Sequence, residues 1–413
     1  MKAVAYSVEN MFAIINFFKK NITLLSLFIM AVFFLRLFTS VNLLPTDDDQ
    51  YFLHALDQTS LAAFLHDRYM TWSGRSPIEA IMVLTIGMSL FWKCMIPVSA
   101  LVTAWAVGRI ALPKGNRWMI TICTLLAICT INKNVFHDAA LWIAGFYNYL
   151  LPISAAVISI VLYYKRKKSC SIAASILMAY SVSNEQIAVL FFVFFGYEIL
   201  NAIIKKTNIR HHLIFFTLPI ASSIVWLSSP GNASRFEVEK NFLLEFTDFS
   251  LLDKVSHGFA TYANHTLAGN NYLLFFSCVA IVASSLINRN VNFISERRYV
   301  SFFFAFMAIF FVANKIYPLN FIFNNTDFNA LTVDKIGGIS TYVKYLISMV
   351  IAVTIIYYSF LSGFFRYGLF CIIGGMTVVV MVGLSPAIYA ERPRVFFISD
   401  LLLIALCLRC FRR

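Results

Sequence analysis

Charge is what this sequence has least of. Only 13% of its 413 residues are charged, and acids are the rarer sign, 20 Asp and Glu against 33 Lys and Arg. A chain so poor in charge and 60% hydrophobic cannot clothe a water-soluble domain. The alternation of apolar and polar residues that marks an outer-membrane barrel is also missing. The eight cysteines, at 94, 123, 129, 170, 278, 371, 407 and 410, lack the paired spacing of a disulfide framework or a zinc site, so they are expected to be small hydrophobic fillers. No small-residue cleavage site follows the first apolar run, Ile22 to Ser40, which is therefore expected to persist as a membrane helix. No inverted internal repeat of the carrier kind is visible.

What the chain has instead is 42 Phe and a succession of apolar runs, each about 15 to 20 residues long and matched to the ~30 Å that a helix must cross. Closed helices are the natural solution where water cannot satisfy the backbone. The expectation is an all-α polytopic membrane protein, one membrane domain over 1–413, with about twelve transmembrane helices and further helices lying at the outer interface. The spans fall near 22–40, 94–112, 119–136, 149–164, 170–183, 186–204, 212–228, 271–287, 299–315, 340–360, 367–385 and 395–409.

Lys and Arg near span ends stay on the cytoplasmic side. Lys19-Lys20, "YKRKKS" at 164–169, "KKTNIRHH" at 205–212 and the tail Arg409, Arg412, Arg413 fix that side, and both termini with it. The segment 76–93 would invert this order if it spanned, so it is assigned to a helix on or dipping into the outer interface, with Glu79 near its start and Lys93 at its end. Outer loops are then 41–93, 229–270, 316–339 and 386–394, and "NFLLEFTDFSLLDKVSHGFATY" in the second carries the spacing of one or two amphipathic helices. The basic residues are scattered over short loops, a topology signal that argues against nucleic acid as a partner.

The chemistry-bearing residues lie on that outer side. "NLLPTDDDQYF" (42–52) sets Asp47, Asp48 and Asp49 side by side where the first span ends. Adjacent carboxylates repel and raise one another's proton affinity, which suits a general base; a solvated, helix-initiating turn is the plain alternative. "DRYMTWSGRSP" (67–77) offers Arg75 for bidentate contact with a phosphate, Gly74 to let an anion approach, and Trp72 to stack on a sugar or anchor at the interface. "NVFHDAALWIAGFYNYLLP" (134–152) brings His137, Asp138, Trp142, Asn148 and Tyr149, groups suited to carbohydrate or to an interfacial belt. His137 and Asp138 have no third metal ligand nearby in sequence. In "SNEQ" (183–186), Asn184 and Glu185 stand between two apolar segments, where a charge needs water, a partner or a ligand. Arg235 in "SPGNASRF" and Arg392 and Arg394 in "SPAIYAERPRVFF" could converge with Arg75 on one anion, or meet lipid headgroups.

The order of "TDDDQYF", "WSGR", "GFYNYLLP", "SNEQ" and "SPGNASRF" behind one N-terminal span resembles the polytopic glucosyltransferases that modify O-antigen, including the serotype-converting enzymes of temperate bacteriophages. The likeness covers most of the chain. It implies a GT-C-like helical bundle in the bacterial inner membrane, with a periplasmic active site and acids in the first outer loop. The implied donor is a polyprenyl-phosphate sugar, commonly undecaprenyl-phosphate glucose, and the implied acceptor a lipid-linked polysaccharide. A donor-synthesising transferase and a flippase are implied partners. The acidic motif falls on Asp47, Asp48 and Asp49, with one Asp more than the family pattern, and which of them is the base stays open.

An Asp base and an Arg-lined phosphate site form a sufficient minimum for such a transfer. A divalent metal could sit beside three Asp residues, but Arg can neutralise the same charge, so no obligatory cofactor or metal is expected. The competing readings are a carrier or lipid-linked oligosaccharide flippase, an O-antigen polymerase, and a structural membrane protein. Carriers bury ionisable groups near the midplane, whereas here only Arg36 and Asp400 lie well inside predicted spans.

Overall fold

A computed structural model of the chain describes residues 2–268, 271–287, 294–316, 339–386 and 393–412. Every regular element among them is helical. The chain is a helical membrane protein: seven helices are long and apolar enough to cross a bilayer, or up to nine if each of two bent pairs counts as one span. The seven are Asn21–Ser40, Ser89–Ala111, Ile143–Tyr163, Glu185–Ile204, Ser295–Ile316, Ile339–Leu361 and Phe365–Leu384. The segments Lys168–Ser181 and Phe397–Arg409 coincide with predicted spans but have 14 and 13 residues, short of the ~20 that a perpendicular crossing needs.

In chain order, α1 (Lys2–Ser40) leads into the first loop with α2 (Asp48–Leu53), α3 (Leu61–Thr71) and α4 (Ser76–Thr85). The segment predicted as one interfacial helix over 76–93 is divided: α4 ends near Thr85, and Lys93 belongs to α5 (Ser89–Ala111). The Trp92 indole N–H closes that corner by donating to Ile86 O at 2.9 Å. The predicted span 119–136 is likewise bent, by 109°, between α6 (Arg117–Ile128) and the stretch Lys133–Leu141, which opens with the short α7 (Lys133–Phe136). Asn132 makes the second start there, its side-chain oxygen accepting from Asn134 N at 2.9 Å. A π-helical turn, His137–Leu141, follows, then α8 (Ile143–Asn148) and α9 (Leu150–Tyr163).

The bundle continues with α10 (Lys168–Ser181), α11 (Glu185–Ile204), α12 (Arg210–Leu227) and α13 (Gly231–Glu239). The amphipathic segment expected in the second outer loop is α14 (Leu251–Thr266), opened by a capping box between Ser250 and Asp253. Leu251 and Leu252 are exposed, while His257, Gly258 and Ala260 on the other face are buried. Then come α15 (Tyr272–Ile287), α16 (Ile294–Ile316), α17 (Ile339–Leu361), α18 (Phe365–Val380) and α19 (Phe397–Arg409). Two apolar cores result, one gathering residues of α1 to α12 with the end of α18 and much of α19, the other gathering residues of α15 to α18 with Leu406 and Cys410; Leu402 and Leu403 of α19 pack against both.

Hydrogen bonds between helix ends divide the bundle into two chemically distinct ends. At one, Arg409 Nη1 donates to Ala111 O at 2.9 Å, Arg366 Nη1 to Asn201 Oδ1 at 3.0 Å and Arg297 Nη2 to Leu361 O at 3.1 Å. Lys165 to Lys168 and Lys205-Lys206 flank those helix ends. At the other end α8, the start of α11 and the first loop meet, and there most of the predicted site residues gather.

Candidate functional site

The three aspartates part company in the fold. Asp47 and Asp48 are exposed, while Asp49 is fully buried. Asp49 Oδ2 accepts from Leu44 N at 3.0 Å and Oδ1 from Ala144 N at 2.9 Å, so one carboxylate closes its own loop and ties it to α8. Gln50 Nε2 donates to Leu44 O at 2.6 Å and tightens the same ring. Burial pushes the Asp49 carboxyl above its ordinary range, although both backbone N–H groups pull the other way. Asp47, at the N-cap of α2, is held at φ 67° and ψ −153°, a region that L-residues rarely occupy and that costs about 1–3 kcal/mol.

The six residues of α8 are the hub of the site. Ala144 N holds Asp49, and Ala144 O accepts from Asn148 Nδ2 at 2.8 Å. Asn148 O accepts from Asn184 Nδ2 at 3.0 Å, while Asn184 Oδ1 caps α11 by accepting from Ile187 N at 3.1 Å. Arg75 then bridges the first loop to both: its Nε lies 2.8 Å from Glu185 Oε1 and its Nη1 3.5 Å from Asn148 Oδ1. Asp49, Arg75, Asn148, Asn184 and Glu185, separated by up to 136 residues in sequence (185 − 49), thus form one connected network.

The arginines differ in their engagements. Arg75 pairs with Glu185, and Arg235 with Glu239 at 2.6 Å. Arg394 lies over the Trp142 ring, 4.7 Å from its centroid, and 5.7 Å from that of Tyr149. It makes no ion pair with an acid among the described residues, and its Nε is buried without a hydrogen-bond partner. Arg392 lies outside the described residues. His137 is exposed and bonds through Nδ1 to Asp138 at 3.0 Å, at the edge of the network. Trp72 sits against Arg68, whose guanidinium lies 5.6 Å from its ring centroid, and its backbone crowds Gly231.

Packing requires a glycine at Gly74. A Cβ there would lie 2.6 Å from Trp226 Cα, so the glycine lets the first loop cross the end of α12. Tyr69 Oη, 3.0 Å from Ser228 Oγ, and Ser229 Oγ, donating to Tyr69 O at 2.6 Å, fasten the same crossing.

Two ionic contacts escape a reading of the sequence. Arg68 grips Glu79 with two hydrogen bonds, of 3.2 and 2.9 Å, holding α3 to α4. His265 Nε2 bonds Asp400 Oδ1 at 2.8 Å, with its ring stacked on Phe396 at 3.8 Å, and Asp400 Oδ2 is buried without a partner. An acid inside an apolar run announced Asp400; nothing in sequence pointed to His265, 135 residues away. These two, with Thr266 and Asn271, form the polar side of a small, mainly apolar cavity.

Among the described residues no group of three His, Cys, Asp or Glu could hold a metal ion. No protein-family model, curated protein or solved structure matches the chain.

Proposed function

We propose that the chain is a GT-C type membrane hexosyltransferase of the bacterial inner membrane, both termini cytoplasmic, with about twelve crossings when its shorter helices are counted. It moves a hexosyl residue, glucose by the family resemblance, from a polyprenyl-phosphate carrier to a lipid-linked surface polysaccharide on the face where Asp47 and Asp48 emerge. The observation that carries this reading is the meeting at α8 of the acidic loop, anchored at Ala144, and of Arg394, which pairs with no acid among the described residues, two residues away on Trp142.

The chemistry follows from accessibility. A base must reach the acceptor hydroxyl, and Asp49 is buried with both oxygens engaged, so it positions the loop. Asp47 or Asp48 takes the proton, and the strained backbone at Asp47 favours Asp47. The hydroxyl oxygen attacks the anomeric carbon as the bond to the phosphate oxygen breaks, and the leaving polyprenyl phosphate keeps the electron pair. Single displacement inverts that carbon. Arg394 neutralises the leaving phosphate, whereas Arg75, committed to Glu185, holds the first loop against α11.

A carrier is the second reading, favoured by the buried His265 and Asp400 pair. Proteoliposomes charged with a labelled polyprenyl-phosphate hexose and a lipid-linked oligosaccharide separate the two. Transfer predicts label joined to the oligosaccharide, lost about 100-fold in Arg394→Gln. Label that crosses the bilayer with no new glycosidic bond refutes the enzyme.

A further inference from the structure

A cavity of about 320 Å³ lies away from the aspartates, between α9, α11, α18 and α19. That size is at the lower end of small-molecule sites, ~300–1,000 Å³. On α11 its wall is one helical face, from Ile187 through Leu190, Phe191 and Phe194 to Tyr197 and Glu198. Over that stretch a helix rises about 16 Å, roughly half of the ~30 Å hydrocarbon thickness. Ile153, Val157 and Ile160 of α9 face it.

The slot is asymmetric. Its long walls are apolar, and its polar groups gather at the basic end of the bundle, where Tyr164, Tyr197, Glu198 and Arg366 line it. Glu198 is occupied there: Tyr164 Oη donates to it at 3.4 Å and His212 Nδ1 lies 3.9 Å away. Arg366 is exposed and touches only neutral acceptors, Tyr197 Oη at 3.3 Å and Asn201 Oδ1 at 3.0 Å. No carboxylate among the described residues pairs with it, and Lys165, Arg166 and Lys205 follow the helix ends on either side.

We propose that this slot holds one acyl chain of an anionic phospholipid, with the lipid phosphate on Arg366. Water would find almost no partners along the apolar walls, while the surrounding bilayer offers hydrocarbon chains at every helix gap. The guanidinium suits a phosphate, and the basic rim selects an anionic headgroup over a zwitterionic one. The slot reaches from Ile187, beside Asn184, to Arg366 at the opposite end of the bundle from Asp49, so the headgroup assignment at Arg366 stands independently of the proposed transferase activity.

The test is lipid binding to the full-length protein, delipidated in detergent and followed by native mass spectrometry. Phosphatidylglycerol and phosphatidylcholine with identical chains are the probes. The wild type should retain phosphatidylglycerol severalfold better, Arg366→Gln should bind both equally, and Val157→Trp, which fills the slot, should bind neither above background. Equal retention of the two lipids by the wild type, or an unchanged preference in Arg366→Gln, overturns the headgroup assignment without depending on how Val157→Trp folds. Undiminished binding to a monodisperse Val157→Trp protein overturns the slot itself.

Discussion

Asp49 Oδ1 accepts a hydrogen bond from the backbone N–H of Ala144, across 95 residues of sequence. Its other oxygen takes the N–H of Leu44, so the carboxylate serves two backbone donors at once. Asparagine presents only one acceptor oxygen to those two groups. Asp49→Asn should therefore lose about 1–3 kcal/mol of stability, read as a lower midpoint of thermal unfolding in detergent. The pH dependence has a definite sign. Burial raises the folded carboxyl above its unfolded range, so folding prefers the protonated form. That contribution is complete below the unfolded pKa and is lost as pH rises through the folded one. The stability gap between wild type and Asp49→Asn should widen as the buffer is acidified; a gap that narrows would contradict the burial argument.

The backbone at Asp47 supplies a different kind of test. Glycine occupies φ 67° and ψ −153° without penalty, so Asp47→Gly should gain about 1 kcal/mol in stability. If Asp47 is the base, the same variant loses sugar transfer. A protein both more stable and fully active would remove Asp47 from the mechanism.

Arg75 and Glu185 are partners 110 residues apart, with side chains about one-fifth exposed. Either single alanine variant removes the main partner of a partly buried charge and should destabilise by about 2 kcal/mol, somewhat less than the 3–5 kcal/mol of a fully buried pair. The reversed pair Arg75→Glu with Glu185→Arg should recover part of that loss. A double-mutant cycle on unfolding midpoints measures the coupling, and additive single effects would show that the pair holds nothing.

Gly74 crosses the α12 end with no room for a methyl group. Gly74→Ala should cost about 1–3 kcal/mol through overpacking against Trp226. Wild-type stability in that variant would show that the crossing is loose.

Much of this architecture was legible in the sequence because hydrophobic runs and helical periodicity are local. The apolar length of Asn21–Ser40 and the amphipathic α14 follow from neighbours within a few residues. The bends were not legible: the corner at Ile86 needs the Trp92 indole folded back upon it, and the 109° break before Lys133 interrupts a run that reads as continuous apolar helix. Residue type singled out Asp49, Arg75, Asn148, Asn184 and Glu185 as chemistry-bearing, and the fold brings these five into one network. Their roles were another matter. That Asp49 faces inward while Asp47 and Asp48 face out, and that Arg75 is committed to Glu185 while Arg394 is not, depend on contacts between distant segments. Composition carries no record of those contacts.

The most direct measurement is the mass of the surface polysaccharide repeat unit from cells expressing the wild-type chain, an Asp47→Asn, Asp48→Asn double variant, or Arg394→Gln, each at equal membrane abundance. The account predicts one added hexose per unit with the wild type and almost none with either variant. An unchanged repeat mass in all three cultures, or full hexose addition by the double Asp variant, would contradict it.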